Sequence, residues 1–319
     1  MRPPHPPLVS VVVPTHDRPV RLEHLLASLR CQTLGPDAFE VIVVDDGSGT
    51  DTQAALARAG SQTGLRLRTV RQATSRGPAA GRNRGWAMAS AALVAFIDDD
   101  CVALPGWLEA GLRASRDAPG AIVQGQTQPD PRELGQRGLL AHTVAVDSLG
   151  PQYQACNIFY PRALLETLGG FDEAYDRRSA GEDTDLAWRA IELGHRTVFA
   201  PDALVHHAVE DVGVRGMLRI AARWEGVPRV LARHPEARIM LHRRLFWNVW
   251  HYLLWRSLLG LLGPPWLKRL VITRHLSQLN RRAILSGSGP WAIPFLLVYD
   301  VVECAAIARG SVRHRVLVL

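Results

Sequence analysis

The stretch that most constrains this chain is Leu93 to Leu104. It reads Leu-Val-Ala-Phe-Ile-Asp98-Asp99-Asp100-Cys-Val-Ala-Leu and runs into Pro105-Gly106. Five apolar residues with β-branched and aromatic content predict a buried strand, and three consecutive carboxylates then load its C-terminal end with negative charge. Adjacent carboxylates repel one another and resist burial, so they are tolerated in solvent, against basic partners or around a cation. An acidic surface turn would account for the run by itself. A strand end is also where an open α/β sheet presents groups to a ligand.

The chain upstream repeats the pattern. Leu8 to Val13 is a β-branched run ending at Pro14-Thr15-His16-Asp17, and Phe39 to Val44 is a second, ending at Asp45-Asp46-Gly47-Ser48. Between them Leu22, Leu25, Leu26 and Leu29 share one helical face. A helix from Thr50 to about Ala59, a strand near Leu65 to Val70 and an Ala-rich helix from the Gly77–Gly85 stretch to Ala92 follow. Strand and helix alternating at this spacing predict a parallel sheet with right-handed crossovers. The loops of such a sheet gather along one edge, so Thr15, Asp17, Asp45, Asp46 and Asp98 to Asp100 are expected to line one crevice. No GxGxxG or Walker A loop occurs, which counts against a dinucleotide oxidoreductase or a P-loop kinase.

Beyond Gly106 the spacing predicts a helix to about Arg116 and a strand at residues 121–125, while residues 126–154 read as loops. Residues 155–160 lead into Pro161, suited to the first turn of a helix that Gly169-Gly170 breaks. Gly181-Glu182-Asp183-Thr184-Asp185 opens the next helix. Acids in a first turn are favoured by the helix dipole, a structural account that stands beside a catalytic one. Thr197–Ala200 and Ala203–Val205 read as short strands delivering His206-His207 at an end. A lone His is usually structural; two after a strand, in a chain with an Asp cluster, suggest a metal ligand.

Charge is unevenly distributed over the 319 residues. From Val212 onward 17 Lys and Arg stand against 4 Asp and Glu, whereas the rest of the chain carries 20 against 26. A basic rear invites nucleic acid or anionic lipid. Here Leu245–Leu262 is rich in Trp and Leu and Trp291–Ala308 is similarly apolar, and the Trp residues sit among leucines, which argues against nucleic acid. Arg256 and His251 interrupt the first segment, and Asp300, Glu303 and a proline interrupt the second, so neither is a clean 20-residue span. Helices lying in a membrane interface fit best, with packing on the front region or across a homodimer, and true spans, as alternatives. Cys31, Cys101, Cys156 and Cys304 are scattered without metal-type spacing, so reduced, non-structural thiols and a cytosolic setting are expected. Met1-Arg2 leads into prolines rather than the apolar run of a secretory leader.

Taken in order, Val-Val-Val-Pro-Thr-His-Asp-Arg-Pro, Val-Ile-Val-Val-Asp-Asp-Gly-Ser, Gly-Arg-Asn-Arg-Gly, Phe-Ile-Asp-Asp-Asp, Gly-Gly-Phe-Asp-Glu and Gly-Glu-Asp-Thr-Asp-Leu-Ala-Trp-Arg resemble the family 2 glycosyltransferases of the GT-A fold, over roughly residues 8 to 210. The resemblance implies a Rossmann-like mixed α/β sheet at residues 1–211; residues 212–319, by their own charge and apolar pattern, are expected to be a basic helical extension. It implies sugar transfer from a nucleoside-diphosphate donor with inversion at the anomeric carbon. Pro14, Thr15, Asp17, Asp46 and Arg82 would hold the nucleoside, and Asp98 to Asp100 would be the DxD motif, with Asp98 and Asp99 toward the nucleotide-sugar and Asp100 toward the metal. His207, better placed than His206 after the Pro201-Asp202 turn, would be a second ligand, and a His tilts the choice between Mn²⁺ and Mg²⁺ toward Mn²⁺. Asp183 would take the acceptor's proton, supported by Glu182. With the basic rear, the expected setting is peripheral, on the cytoplasmic face of a membrane, with a lipid-linked or cell-envelope glycan as acceptor. The alternatives are a non-catalytic nucleotide-sugar-binding protein on the same fold, or a nucleotidyltransferase.

Overall fold

The computed structural model describes residues 6–62, 64–175 and 179–319. The β-branched run of β1 (Val9–Thr15) is buried on both faces, with Val9, Val11 and Val13 in one core with Leu22, Leu25, Leu26 and Leu29 and Val12 against Gly85. It lies parallel to β2 (Phe39–Asp45) and β4 (Leu93–Ile97), and β3 (Leu67–Arg71) extends the parallel set beyond β2. The crossovers are α1 (Pro19–Arg30), α2 (Thr50–Ser61) and α3 (Pro78–Trp86). The four leucines of α1 are all buried, as their spacing requires. α3 stops at Trp86, short of the predicted Ala92, because Ala87–Ala92 form turns that lead into β4.

The second half of the sheet is mixed. β5 (Cys101–Ala103) follows directly on the acidic turn, and after α4 (Trp107–Asp117) come β6 (Ile122–Pro129), β7 (Ala141–His142) and β8 (Asn157–Pro161). α5 (Arg162–Leu168) and α6 (Glu182–Glu192) precede β9 (Thr197–His207). The eight strands run in the order β3-β2-β1-β4-β8-β6-β9-β5, with β8 antiparallel to both neighbours and β5 antiparallel to β9. The two short strands expected near His206 are one continuous β9, whose bend is absorbed by a register shift against Gly125/Gln126 of β6. A side chain at Gly125 would stand 2.4 Å from the amide of Asn157. That buried amide donates to the carbonyls of Gln126 and Ala203 and accepts from Trp107, tying β8 to both its neighbour β6 and β9.

The chain divides into two units. The front unit has three segments: one ending at Arg132, one beginning at Thr143 and one running Glu182–Ala208; the rear unit takes Glu133–His142, a short stretch ending at Gly181, and Val209–Leu319. In the rear unit β10 (Glu210–Asp211) pairs with β7, and α7 (Gly213–Arg223), α8 (Val227–Arg233), α9 (Val249–Gly260), α10 (Pro265–Leu285) and α11 (Ile293–His314) follow. α11 packs on α7, α8 and α10. Its two acids are buried and held: Asp300 accepts from Arg282 of α10 at 2.6 Å, and Glu303 meets His251 of α9 and Asn248, each at 2.9 Å. Among the described helices one, Pro290–His314, is long and apolar enough to cross a membrane.

Candidate active site

Parallel register brings the functional side chains together. Thr15 pairs with Asp45 across β1 and β2, and β4, parallel to β1, ends two residues sooner and runs into the acidic turn, so three strand ends open on one edge of the front unit. Gly47 (φ 73°) makes the turn after Asp46, and a side chain there would press on the backbone of Thr74 and Ser75. Asp46 is buried under this turn. Its carboxylate accepts from the Ser75 hydroxyl (2.6 Å), the Arg76 and Gly77 amides (2.7 and 2.9 Å) and Gln72 (3.1 Å). A nucleobase reaching Asp46 therefore has to displace one of these bonds. Asp45 is committed to the Ser48 amide and Arg71. Asp17, in the left-handed region that Asp tolerates (φ 53°), is exposed and accepts from the Gly49 amide at 2.7 Å. Pro14 lies against α3, where Gly81 lets the backbones close.

The three consecutive aspartates face three ways. Asp98 receives Nη2 of Arg82 at 2.8 Å. Asp99 turns inward, accepting the Thr15 hydroxyl at 2.7 Å and Arg18 at 3.3 Å; burial first, and then the neighbouring Asp100, push its carboxyl up to about 7. Asp100 accepts from Arg18 at Oδ2, while its buried Oδ1 has no hydrogen-bond donor and stands 3.6 Å from Nε2 of His207. Burial raises the Asp100 carboxyl, but His207 and Arg18 outweigh it and hold it below the ordinary range. Nδ1 of His207 bonds the Ala208 carbonyl at 2.9 Å, a contact that fixes the orientation of the ring whose Nε2 faces Asp100. Alternation along β9 sets His207 opposite Cys101 of β5 and His206 opposite Val102, so His207 alone of the pair shares the Asp100 side.

Arg82 joins the sheet to α6. Its guanidinium is buried, with Nη1 on Glu182 (3.1 Å), Nη2 on Asp98, and the ring of Phe171 at 5.5 Å. Burial works against its charge, but Asp98 and Glu182 outweigh burial and keep it cationic; Nε, also buried, has no acceptor. Beside Glu182, Asp183 is half-buried, with Oδ1 on the Thr184 amide (2.8 Å) and Oδ2 on the Ala155 amide (3.3 Å). Burial, and then the charge of Glu182, push its carboxyl up to about 7 against the opposing pull of Arg82. The buried thiol of Cys156 is pushed up by burial and then by the charges of Asp98, Asp100 and Asp183, in that order; Arg82, bonded to both Asp98 and Glu182, is what brings the strand end and α6 together.

A divalent cation fits this donor set. A buried carboxylate oxygen without a donor faces an imidazole nitrogen across 3.6 Å, and one ligand atom each from Asp100, Cys101 and His207 lies within 4.8 Å of the other two. Two partners escaped the sequence reading. Arg18 lies inside the quoted His-Asp-Arg-Pro run, and its pairing with Asp99 and Asp100 depends on the fold. Cys101, expected to be a thiol without metal-type spacing, has its ligand spacing across strands rather than along the chain.

Comparison with known proteins follows the same lines. Residues 10–167 match the family described as glycosyl transferase family 2, and residues 93–302 match glycosyl transferase family group 2. The pre-mycofactocin glycosyltransferase of Mycobacterium tuberculosis (strain H37Rv) is 33% identical over 257 residues, covering 74% of this chain and 50% of that protein. This chain thus spans about half the length of that relative. The validoxylamine A glucosyltransferase of Streptomyces hygroscopicus subsp. jinggangensis is 33% identical over 320 residues, covering 88% of this chain and 71% of that one. Among solved structures, the mannosyltransferase PcManGT of Pyrobaculum calidifontis, in complex with GDP-Man and Mn²⁺, shares the fold with a TM-score of 0.61 at 22% identity, over 98% of this chain and 88% of that one. The mixed sheet is therefore a GT-A sheet, and the chain belongs to glycosyl transferase family 2.

Proposed function

We infer that this chain transfers a glycosyl unit from a nucleoside-diphosphate sugar to an acceptor hydroxyl, with inversion at the anomeric carbon. A divalent cation, Mn²⁺ or Mg²⁺, would be held by Asp100 and His207. The observation that carries the reading is Arg82, which spans 100 positions of sequence to join the end of β4 to the candidate base helix and keeps a buried N–H without an acceptor. A donor-less carboxylate oxygen at Asp100 and an acceptor-less guanidinium N–H at Arg82 are the complementary demands that a cation and an anionic phosphate satisfy.

When bound, the cation would neutralise the charge that develops on the diphosphate leaving group. Asp183, fixed at both oxygens by backbone amides, takes the proton of the acceptor hydroxyl as the bond to the anomeric carbon forms; its raised proton affinity suits that task near neutral pH. Glu182 is committed to Arg82, so its part is to hold the guanidinium and raise the basicity of Asp183. Thr15, Asp17 and Asp46 form the nucleoside side, and Asp98 and Asp99 the side of the ribose and diphosphate.

We assign the acceptor to a lipid-linked or cell-envelope glycan and the chain to the cytoplasmic face of a membrane, held peripherally. Support comes from the rear unit, where Leu262, Trp266, Leu285 and Trp291 are exposed in the company of exposed Lys268 and Arg269. The test is nucleoside-diphosphate release from UDP-, GDP- and dTDP-sugars with Mn²⁺, by the native chain and by Asp183→Asn. Release from at least one donor by the native chain, lost in the variant, supports the reading. Equal release by both, or pyrophosphate in place of the nucleoside diphosphate, refutes it.

A further inference from the structure

We propose that Cys101 is a third ligand of the cation site, so that a thiophilic divalent ion such as Co²⁺, Zn²⁺ or Cd²⁺ is held through sulfur as well as through Asp100 and His207. The proposal rests on the cation reading above and adds to it a preference among ions.

Three observations converge on it. The antiparallel register sets Cys101 of β5 directly across from His207 of β9, and side chains so paired share one face with Cβ atoms about 4.5–5.5 Å apart. The three candidate ligand atoms already lie within 4.8 Å of one another. Asp100, only 9% exposed, spends Oδ2 on Arg18 and leaves Oδ1 without a donor toward the other two groups.

Oxygen, nitrogen and sulfur in one place make a mixed set that separates cations by softness. Mg²⁺ and Mn²⁺ prefer oxygen and have little to gain from sulfur. In their presence Cys101 stays a thiol whose sulfur rests against the Cys156 carbonyl at 3.8 Å. Zn²⁺, Co²⁺ and Cd²⁺ bind thiolate strongly enough to expel the thiol proton to solvent, so the new metal–sulfur bond replaces the S–H bond. The added negative ligand also offsets the positive charge on which the diphosphate would otherwise draw. The soft ions therefore compete with Mn²⁺ for the site and support transfer less well.

The test uses the full chain, stripped of metal. Co²⁺ is titrated while near-ultraviolet absorption is recorded, and Mn²⁺ binding is followed by electron paramagnetic resonance. The expected result is one Co²⁺ per chain with a sulfur-to-cobalt charge-transfer band, absent in C101S and present in C156S. Zn²⁺ should displace Mn²⁺ from the native chain with a preference that falls by about tenfold or more in C101S. Because the band is read on the native protein, the outcome does not depend on a variant folding. Stoichiometric Co²⁺ binding without the band, or a band that survives C101S, overturns the thiol ligand while leaving the Asp100–His207 site standing. A chain that binds neither Mn²⁺ nor Co²⁺ overturns both.

Discussion

Replacing Arg82 by Met tests the spine of the site, because it removes a buried cation and leaves its carboxylate partners in place. Arg82 is 5% exposed and Glu182 6%, so this half of the bridge is out of water. Breaking such a pair from one side costs about 3–5 kcal/mol, since the carboxylate left behind loses its guanidinium while staying out of water. The other half counts for less: the side chain of Asp98 is 29% exposed, and water screens it. The expected loss is therefore at the lower end, about 3 kcal/mol, and at about 2–4 °C per kcal/mol the unfolding midpoint should fall by about 6–12 °C. The sign with pH follows from Asp183, whose carboxyl Arg82 holds down against burial. Without the guanidinium its proton affinity rises further, so the deficit is largest at pH 8 and shrinks as pH falls and Asp183 is protonated. Calorimetry of native, R82M, E182Q and R82M/E182Q at pH 6 and pH 8 reads all of this. The double variant should regain about half the loss, because it no longer buries a carboxylate that has lost its guanidinium. An R82M midpoint within about 2 °C of native at pH 8, or a double variant no more stable than R82M, would refute the reasoning.

Asp183→Asn should lower kcat by about 10²–10⁴ with donor affinity within a few-fold of native; the native rate should fall as pH drops through about 7, where the base becomes protonated, and that limb should be missing from the residual rate of the variant. His207→Ala should weaken Mn²⁺ binding by about tenfold or more in paramagnetic resonance titrations, and chelation should abolish nucleoside-diphosphate release until Mn²⁺ is restored. Gly111→Ala would put a methyl 2.2 Å from Cζ of Phe159 in the core and should cost about 1–3 kcal/mol, read as a lower urea midpoint. Trp266→Glu combined with Trp291→Glu should reduce sedimentation with vesicles containing anionic lipid; unchanged sedimentation at low salt would count against the membrane assignment.

What could be read from the sequence, and what could not, divides along a physical line. β1, β2 and β4 were legible because a strand buried on both faces leaves an apolar run, and their ends were legible because acids cannot continue it. β5 was not: Cys-Val-Ala carries no pattern of its own and is a strand only because β9 offers it an edge. α10 was missed for a related reason, since arginines interrupt its apolar positions along the full 21 residues and no single face stands out. In the site, residue types were legible and partners were not. Asp46 could be picked out as an acid at a strand end, but its four bonds to residues 72–77 follow from the β3 crossover folding back over it. The same limit bears on the cation. The aspartate run marks where a cation could bind, yet affinity depends on Arg18, which already occupies one oxygen of Asp100 and reaches Asp99. A divalent ion must share Asp100 with that guanidinium or displace it. A diphosphate would give Arg18 another anion to pair with, so donor and metal binding should reinforce each other: the nucleotide draws the arginine off Asp100 and leaves both oxygens to the cation.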